Sequence, residues 1–299
     1  MSSEAAGTAL VTGASAGIGR ELAREFAGDG WDLVVVARRE DRLRALADEL
    51  AVEHDAAVEV VAMDLAEPDA ADALGDAVDD LGVQVDALVN NVGVGTYGPF
   101  HESDPDEELT QLRLNVELPV RLTRQFLPGM VERDDGVVLN LSSLAAFQPG
   151  PRMAGYYASK AYVQSFSEAL AEELRGTGVS VTAVCPGPVS TEFQERAGMT
   201  DSRVGSTFSH TPEEVARAGY RGAMAGDPVV VTPNPVSATS AKRPLIGLTS
   251  PTNFRIAPNA SKWRFGIKML WAAWLWDCPP MDHQTLHCTS LSACQAPMA

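Results

Sequence analysis

Hydrophobic positions in this chain follow two rhythms that alternate along its first 232 residues. TALVTG (8–13) is a short apolar run closed by glycine and reads as a strand. The stretch Gly17–Gly28 repeats its apolar positions at helical spacing, with Leu22, Ala23, Phe26 and Ala27 on one face. WDLVVVAR (31–38) is apolar almost without a break, the pattern of a parallel strand covered on both faces. The spacing then predicts a helix over Glu40–His54, a third strand in AVEVVAMDL (57–65), a helix over 68–81 and a fourth strand in VDALVNN (85–91). A long helix over 105–131 follows, with a bend expected at Pro119. GVVLNLSS (136–143) is a fifth strand, 156–175 a helix and VSVTAVCPG (179–187) a sixth strand. Thr211 and Pro212 open a further helix as N-cap and first residue, and PVVVT (228–232) is a candidate seventh strand.

Strands that alternate with helices make βαβ units, whose right-handed crossovers build a parallel sheet. The fold class is therefore α/β: one doubly wound domain over residues 5–232, without an internal linker or repeat. In such sheets ligands bind at the carboxyl ends of the strands, and the motifs described below fall there or in the helix that follows.

Charge adds two constraints. The net charge of −17 argues against nucleic acid as a partner, since phosphate backbones need a basic face. Aspartate, glutamate and alanine fill the helices while arginine supplies nearly all the positive charge, a composition expected of a halophilic protein. The N-terminal MSSEAAGTALVTG lacks a basic stretch and a long apolar run, which predicts a cytoplasmic protein without a signal peptide. No run of eighteen apolar residues predicts a transmembrane helix.

The charge is also uneven. Up to Thr232 there are 38 acids against 17 bases; from residue 233 there are two acids against six bases, with three of the four lysines, three of the four cysteines and four of the five tryptophans. The alternation of strand and helix stops at the same point. The segment 233–299 is open to three readings: a loosely packed extension, a tail translated out of the ancestral frame, or an interfacial membrane anchor through 263–276. Cys288 and Cys294, with His283 and His287 nearby, form only a weak zinc pattern, and no metal site is assigned. Cys185 stands among apolar residues and is expected to be a buried thiol.

The chemistry begins at TGASAGIGR. Gly13, Gly17 and Gly19 follow a strand and open a helix, where glycine lets the backbone turn tightly and approach a pyrophosphate resting on the helix N-terminus. After the second strand, where an acid would bind the ribose hydroxyls of NAD, stand Arg38 and Arg39, which suit the 2′-phosphate of NADP. Asp64, after the third strand, is placed to reach the adenine amino group.

These features, with Asn90-Asn91-Val92-Gly93, Asn115, Ser143, the pair Tyr156 and Lys160, and Pro186-Gly187, resemble the short-chain dehydrogenase/reductase family of the compact type in motif order and separation. The resemblance spans about residues 7–232. It implies a Rossmann-like fold with a seven-stranded parallel sheet, a homodimer or homotetramer, and hydride transfer between a nicotinamide and a small-molecule carbonyl or secondary alcohol. It also assigns Ser15, Ile18, Leu65, Asn91, Val92, Gly93, Pro186, Gly187, Val189 and Thr191 to the dinucleotide, alongside the glycines, arginines and Asp64. One departure is Val92, where the family usually has alanine; its two extra methyl groups are expected to shift the loop slightly.

Tyr156 and Lys160 lie four apart and share a helix face, whereas Tyr157 points about 100° away. A phenol of pKa about 10 is a poor base at neutral pH; a neighbouring ammonium is expected to lower it. By resemblance Tyr156 is the acid/base, Lys160 also binds the nicotinamide ribose, Ser143 bonds the substrate oxygen, and Asn115 holds a water that links Lys160 to bulk. Thirteen-residue spacing to Tyr156 favours Ser143 over Ser142. Tyr157 is expected to pack on a neighbouring helix or subunit. Residues 192–210 read as a substrate lid without a charged anchor, and Tyr97 and Phe100 either line the pocket or pack. The competing reading is an NADP-binding regulator without turnover, which would have no use for a proton donor.

Overall fold

The structure is a computed structural model, and it describes residues 5–198 and 210–232. Residues 199–209 of the expected lid (192–210), and all of 233–299 with its candidate anchor and cysteines, lie outside the described residues.

Seven strands form one parallel sheet in the order β3-β2-β1-β4-β5-β6-β7. They are β1 Thr8–Thr12, β2 Asp32–Ala37, β3 Val58–Ala62, β4 Ala87–Asn90, β5 Gly136–Leu141, β6 Val179–Cys185 and β7 Val229–Val231. Every pairing is parallel, and the candidate seventh strand is real: Val229–Val231 registers with Ala183–Cys185. The chain reverses its direction of winding between β1 and β4, so the crevice at their carboxyl ends is the switch point where this architecture binds ligands.

The two-faced apolar strands put successive residues into two cores. Ala9, Val11, Leu33 and Val35 face helices α1 (Gly17–Gly28), α2 (Glu40–His54) and α8 (Pro212–Met224). Leu10, Val34, Val36 and Leu88 face α3 (Ala70–Leu81), α5 (Leu118–Arg133) and α6 (Ala154–Glu173). Burying one leucine of this kind contributes about 1.5–3 kcal/mol. On the first face Phe26 is wholly buried and meets Trp31 and Tyr220 edge to face, at 5.3 and 4.9 Å between ring centres, which ties α1 to α8. Thr211 caps α8 with Pro212 in its first turn, as the sequence predicts, and Thr211 and Glu214 also close a reciprocal capping box.

The long helix expected over 105–131 is present as a continuous helical run in three parts: α4 (Pro105–Leu112), a π turn over Arg113–Glu117, then α5. The π turn comes just before Pro119, where the sequence predicts a disturbance. Proline lacks the N–H that the Asn115 carbonyl would accept four residues earlier, and the backbone shifts to an i→i+5 bond, Leu118 N–H to Arg113 O. The helix expected over 68–81 begins at Ala70, and that over 156–175 begins two residues earlier and ends at Glu173. Among the described residues no helix is long and apolar enough to cross a membrane.

Candidate active site

A cavity of about 590 Å³ opens at the carboxyl ends of β1, β4, β5 and β6. Every residue assigned from the sequence to the dinucleotide lines it, except Gly19. Gly19 lies underneath, where its missing side chain admits the Asn91 amide. A Cβ on Gly19 would overlap that amide and the Gly13 carbonyl, and one on Gly13 would stand 2.8 Å from Asn91 Nδ2. Gly13 and Gly17 hold φ of +71° and +58°, which disfavour any side chain. Asn91 Nδ2 donates to Thr12 O at 2.8 Å, and Thr12 Oγ1 accepts from Asn91 N at 3.0 Å and from Val92 N at 3.3 Å. A bare backbone cradle at the start of α1, walled by the loop after β4, fits a dinucleotide pyrophosphate. Val92 packs its side chain against the core between the sheet and α3, so its methyl groups are accommodated there.

The wall at the end of β2 carries the two arginines. Arg38 is the more exposed, with Asp64 3.5 Å away. Arg39 donates to Ser15 Oγ at 3.0 Å and to Glu192 at 2.8 Å. Asp64 Oδ1 accepts from Ala66 N at 3.0 Å, which orders the turn after β3.

Ser143, Tyr156 and Lys160 converge across the cavity from β5 and α6. Tyr156 and Ser143 line the same cavity, and Ser143 Oγ accepts from Ala145 N at 3.1 Å. Ser142 is buried, and its hydroxyl donates to the Lys160 carbonyl at 2.9 Å. Both serines line the cavity, and Ser142 in addition ties β5 to α6. Behind them Asn90 donates to Asn140 (2.8 Å) and Asn140 to Ser167 (2.9 Å), a buried polar chain that fixes α6 against the sheet.

The electrostatics depart from the expectation of a lowered tyrosine pKa. Burial is the largest influence on Tyr156 and pushes it up to about 12, against a smaller lowering by Ser143. Lys160 is buried and donates to Leu141 O at 2.8 Å, with Nζ 5.8 Å from the centre of the Tyr156 ring. Burial lowers the lysine to about 8. The ammonium is bonded to a strand carbonyl and is not among the groups that lower the pKa of the Tyr156 hydroxyl.

Asn115 does not line the cavity; it lies behind the loop after β4. Its amide donates to Val94 O at 2.9 Å and to Ser159 Oγ at 3.0 Å, and its Oδ1 accepts from Val94 N at 3.0 Å. Its side chain is thus a clamp on the loop, while its carbonyl faces the missing N–H of Pro119.

Tyr157 also differs from expectation. It lies against Gly150, where a Cβ would collide with its ring, and lines the cavity with Met153 and Phe193. Its ring meets Tyr156 edge to face at 6.1 Å between centres. Phe193, from the short helix α7 (Glu192–Arg196), packs on Tyr156 at 5.3 Å. Neither Tyr97 nor Phe100 lines the cavity; Arg152 stands over the Tyr97 ring at 5.1 Å. Cys185 is a buried thiol, as expected, with its pKa pushed up to about 12 chiefly by burial. Glu192 and Phe193 fall in the expected lid, but sequence reasoning missed their partners Arg39 and Tyr156, because nothing in a five-residue helix signals which distant groups it meets.

Comparison with known proteins follows the same outline. A family model described as short chain dehydrogenase matches residues 7–201. A short chain dehydrogenase of Pseudocercospora fijiensis is 39% identical over 213 residues, 70% of this chain and 67% of that protein. Among solved structures, a short-chain dehydrogenase from Sphingobium yanoikuyae in complex with NADPH is 31% identical with a TM-score of 0.71, covering 83% of this chain and 98% of that one. A short chain dehydrogenase/reductase from Burkholderia phymatum in complex with NAD is 26% identical, also with a TM-score of 0.71, covering 81% and 94%.

The buried lysine gives a pH test of this site. Below pH 8 the folded and unfolded chains both hold the Lys160 proton, and burial of the ammonium opposes folding. Between pH 8 and the ordinary lysine value of 10.5 the unfolded chain binds more protons, so stability from this group rises with pH. Lys160→Met should therefore raise the thermal midpoint by roughly 2–4 °C at pH 7. That advantage should shrink between pH 8 and 10.5 in a series of thermal melts; a pH-independent difference would show that the ammonium is not buried at a cost.

Proposed function

This chain belongs to the short chain dehydrogenase family and is an oxidoreductase of that family, and on that premise we propose that it is an NADP-dependent carbonyl reductase or alcohol dehydrogenase with Tyr156 as its acid/base. The observation that carries this reading is that Ser143, Tyr156 and Lys160, brought together from the end of β5 and from α6, line one cavity. When bound, the nicotinamide supplies or accepts the hydride. Ser143 and Tyr156 together present hydroxyl donors to a carbonyl oxygen, and Tyr156 delivers the proton to the alcohol as it forms. A phenol held at about 12 is protonated at neutral pH, the form that reduction uses. In the oxidative direction the phenol must lose its proton, and release of Lys160 from Leu141 toward it would favour that. Lys160 also binds the nicotinamide ribose, and a water at Asn115 connects it to solvent.

The cradle of Gly13, Gly17 and Gly19 would hold the pyrophosphate, Asp64 the adenine, and Pro186, Gly187 and Thr191 the nicotinamide end. NADP is favoured over NAD because the end of β2 carries Arg38 and Arg39, with Arg38 exposed. Leu144, Phe147, Met153, Tyr157 and Phe193 make the cavity wall beside Tyr156 largely apolar, which suits a carbonyl with an apolar substituent. The catalytic domain spans 5–232, and the acidic composition fits a cytoplasmic, salt-adapted enzyme.

Three measurements test this. NADPH oxidation with a panel of carbonyl compounds, followed at 340 nm in low and molar salt, should fall about 100-fold or more on Tyr156→Phe; equal rates would remove Tyr156 from the chemistry and favour a regulator. Arg38→Asp should shift the kcat/KM ratio from NADPH toward NADH, and an unchanged ratio would refute the assignment of the 2′-phosphate. Leu109, Leu112 and Tyr162 leave apolar surface on α4 and α6, and sedimentation should find a homodimer or homotetramer; a monomer would contradict that part of the reading.

A further inference from the structure

The two arginines at the end of β2 are not equivalent. Among the described residues Arg38 meets only Asp64, at 3.5 Å and in the open. Arg39 is already engaged on two sides. Its Nη2 and Nε donate to Ser15 Oγ in the glycine-rich loop, and its Nη1 donates to Glu192 on α7. Glu192 gathers two further guanidinium groups: Arg42 of α2 donates to its Oε1 at 2.6 Å, and Arg196, one helical turn along α7, donates to its Oε2 at 2.6 Å. Both carboxylate oxygens are used. In a domain of strongly acidic composition, three arginines surround one carboxylate at the edge of the cofactor cleft.

We propose that Glu192 is a specificity-determining residue that occupies, as an internal anion, the arginine site a 2′-phosphate must take, and so restrains NADP binding without affecting NAD. The inference rests on the reading that Arg39 faces the adenosine end of the cofactor. Geometry carries it: Arg39 is assigned to the 2′-phosphate and Ser15, bonded to it, to the dinucleotide; both line the cavity, and Glu192 already lies on the same guanidinium. A phosphate arriving there meets a carboxylate; two anions on one guanidinium repel, so one displaces the other. Arg42 and Arg39 hold the Glu192 carboxyl below the ordinary carboxylate range, so it is ionised at any working pH.

A coupling follows. The same ion cluster fastens α7 to the start of α2, and α7 carries Phe193 onto the Tyr156 ring. A 2′-phosphate that takes Arg39 from Glu192 loosens that fastening at the mouth of the site, whereas a cofactor without the phosphate leaves it in place. Glu192 acts through Arg39 and Arg42 and touches no reacting atom; it is a positioning residue. Because these side chains are about one-third to one-half exposed, the effect is modest and shrinks with salt.

The test is calorimetric titration of the full chain at low ionic strength with 2′,5′-ADP and with 5′-ADP, for the wild type and for Glu192→Gln. The expected result is about fivefold tighter binding of 2′,5′-ADP by the variant, with 5′-ADP unchanged and the difference lost in molar salt. Unchanged or weaker binding of 2′,5′-ADP overturns the proposal. So does an equal change for both ligands, which is what mere loosening of α7 would produce. The wild-type ratio of the two affinities separately tests the NADP reading. If the wild type ignores the phosphate and the variant gains a preference for it, NADP selectivity fails and the role of Glu192 stands. If the wild type prefers the phosphate and the variant keeps the same ratio, only the role of Glu192 falls.

Discussion

The site depends on one contact, the Asn91 amide lodged between Gly13 and Gly19. It joins the turn after β1 to the loop after β4 through hydrogen bonds to Thr12, and it fills the volume that side chains on the two glycines would need. The glycine-rich turn, the pyrophosphate cradle and the position of Gly93 all follow. Gly93 is itself packed so closely that a Cβ would stand 3.1 Å from Asn115 Oδ1 and 3.3 Å from Lys160 Nζ. Close backbone approach at a strand switch point is thereby passed on to the groups that would do chemistry.

A second constraint is desolvation. The cavity end formed by β5 and α6 is dry enough to raise a tyrosine and lower a lysine, so each is driven toward its neutral form. The buried chain from Asn90 through Asn140 to Ser167 keeps α6 in register with β5 and holds these groups together. At the opposite, wetter end the same cleft is ruled by exposed ion pairs among Arg39, Arg42, Arg196 and Glu192. One end is suited to proton transfer and the other to the exchange of one anion for another.

Much of this is legible in the chain. The continuous apolar strands announce a sheet covered on both sides, and the alternation of Leu10 with Ala9 and Val11 becomes two separate cores. Motif spacing favours Ser143 over Ser142; what spacing does not carry is that the Ser142 hydroxyl is engaged with the Lys160 carbonyl. Pro119 signals a disturbed helix, but the form of the disturbance, a π turn at Asn115, depends on how the backbone re-pairs after losing a donor. Tyr157 reads as packing from helical phase alone. That phase is silent about Gly150, whose lack of a side chain leaves room for the Tyr157 ring at the cavity wall.

Local pattern and spacing by themselves determined the α/β class, the strand-end location of the site, the glycine cradle and the helix face shared by Tyr156 and Lys160. These rest on periodicity and backbone freedom, which a short stretch of sequence carries. Tertiary structure alone decided that Lys160 bonds Leu141, that burial raises Tyr156, and that Glu192 reaches across 153 positions of chain to Arg39. Protonation and ion pairing depend on solvent exclusion and on which distant groups meet, and neither is a property of neighbouring residues in sequence.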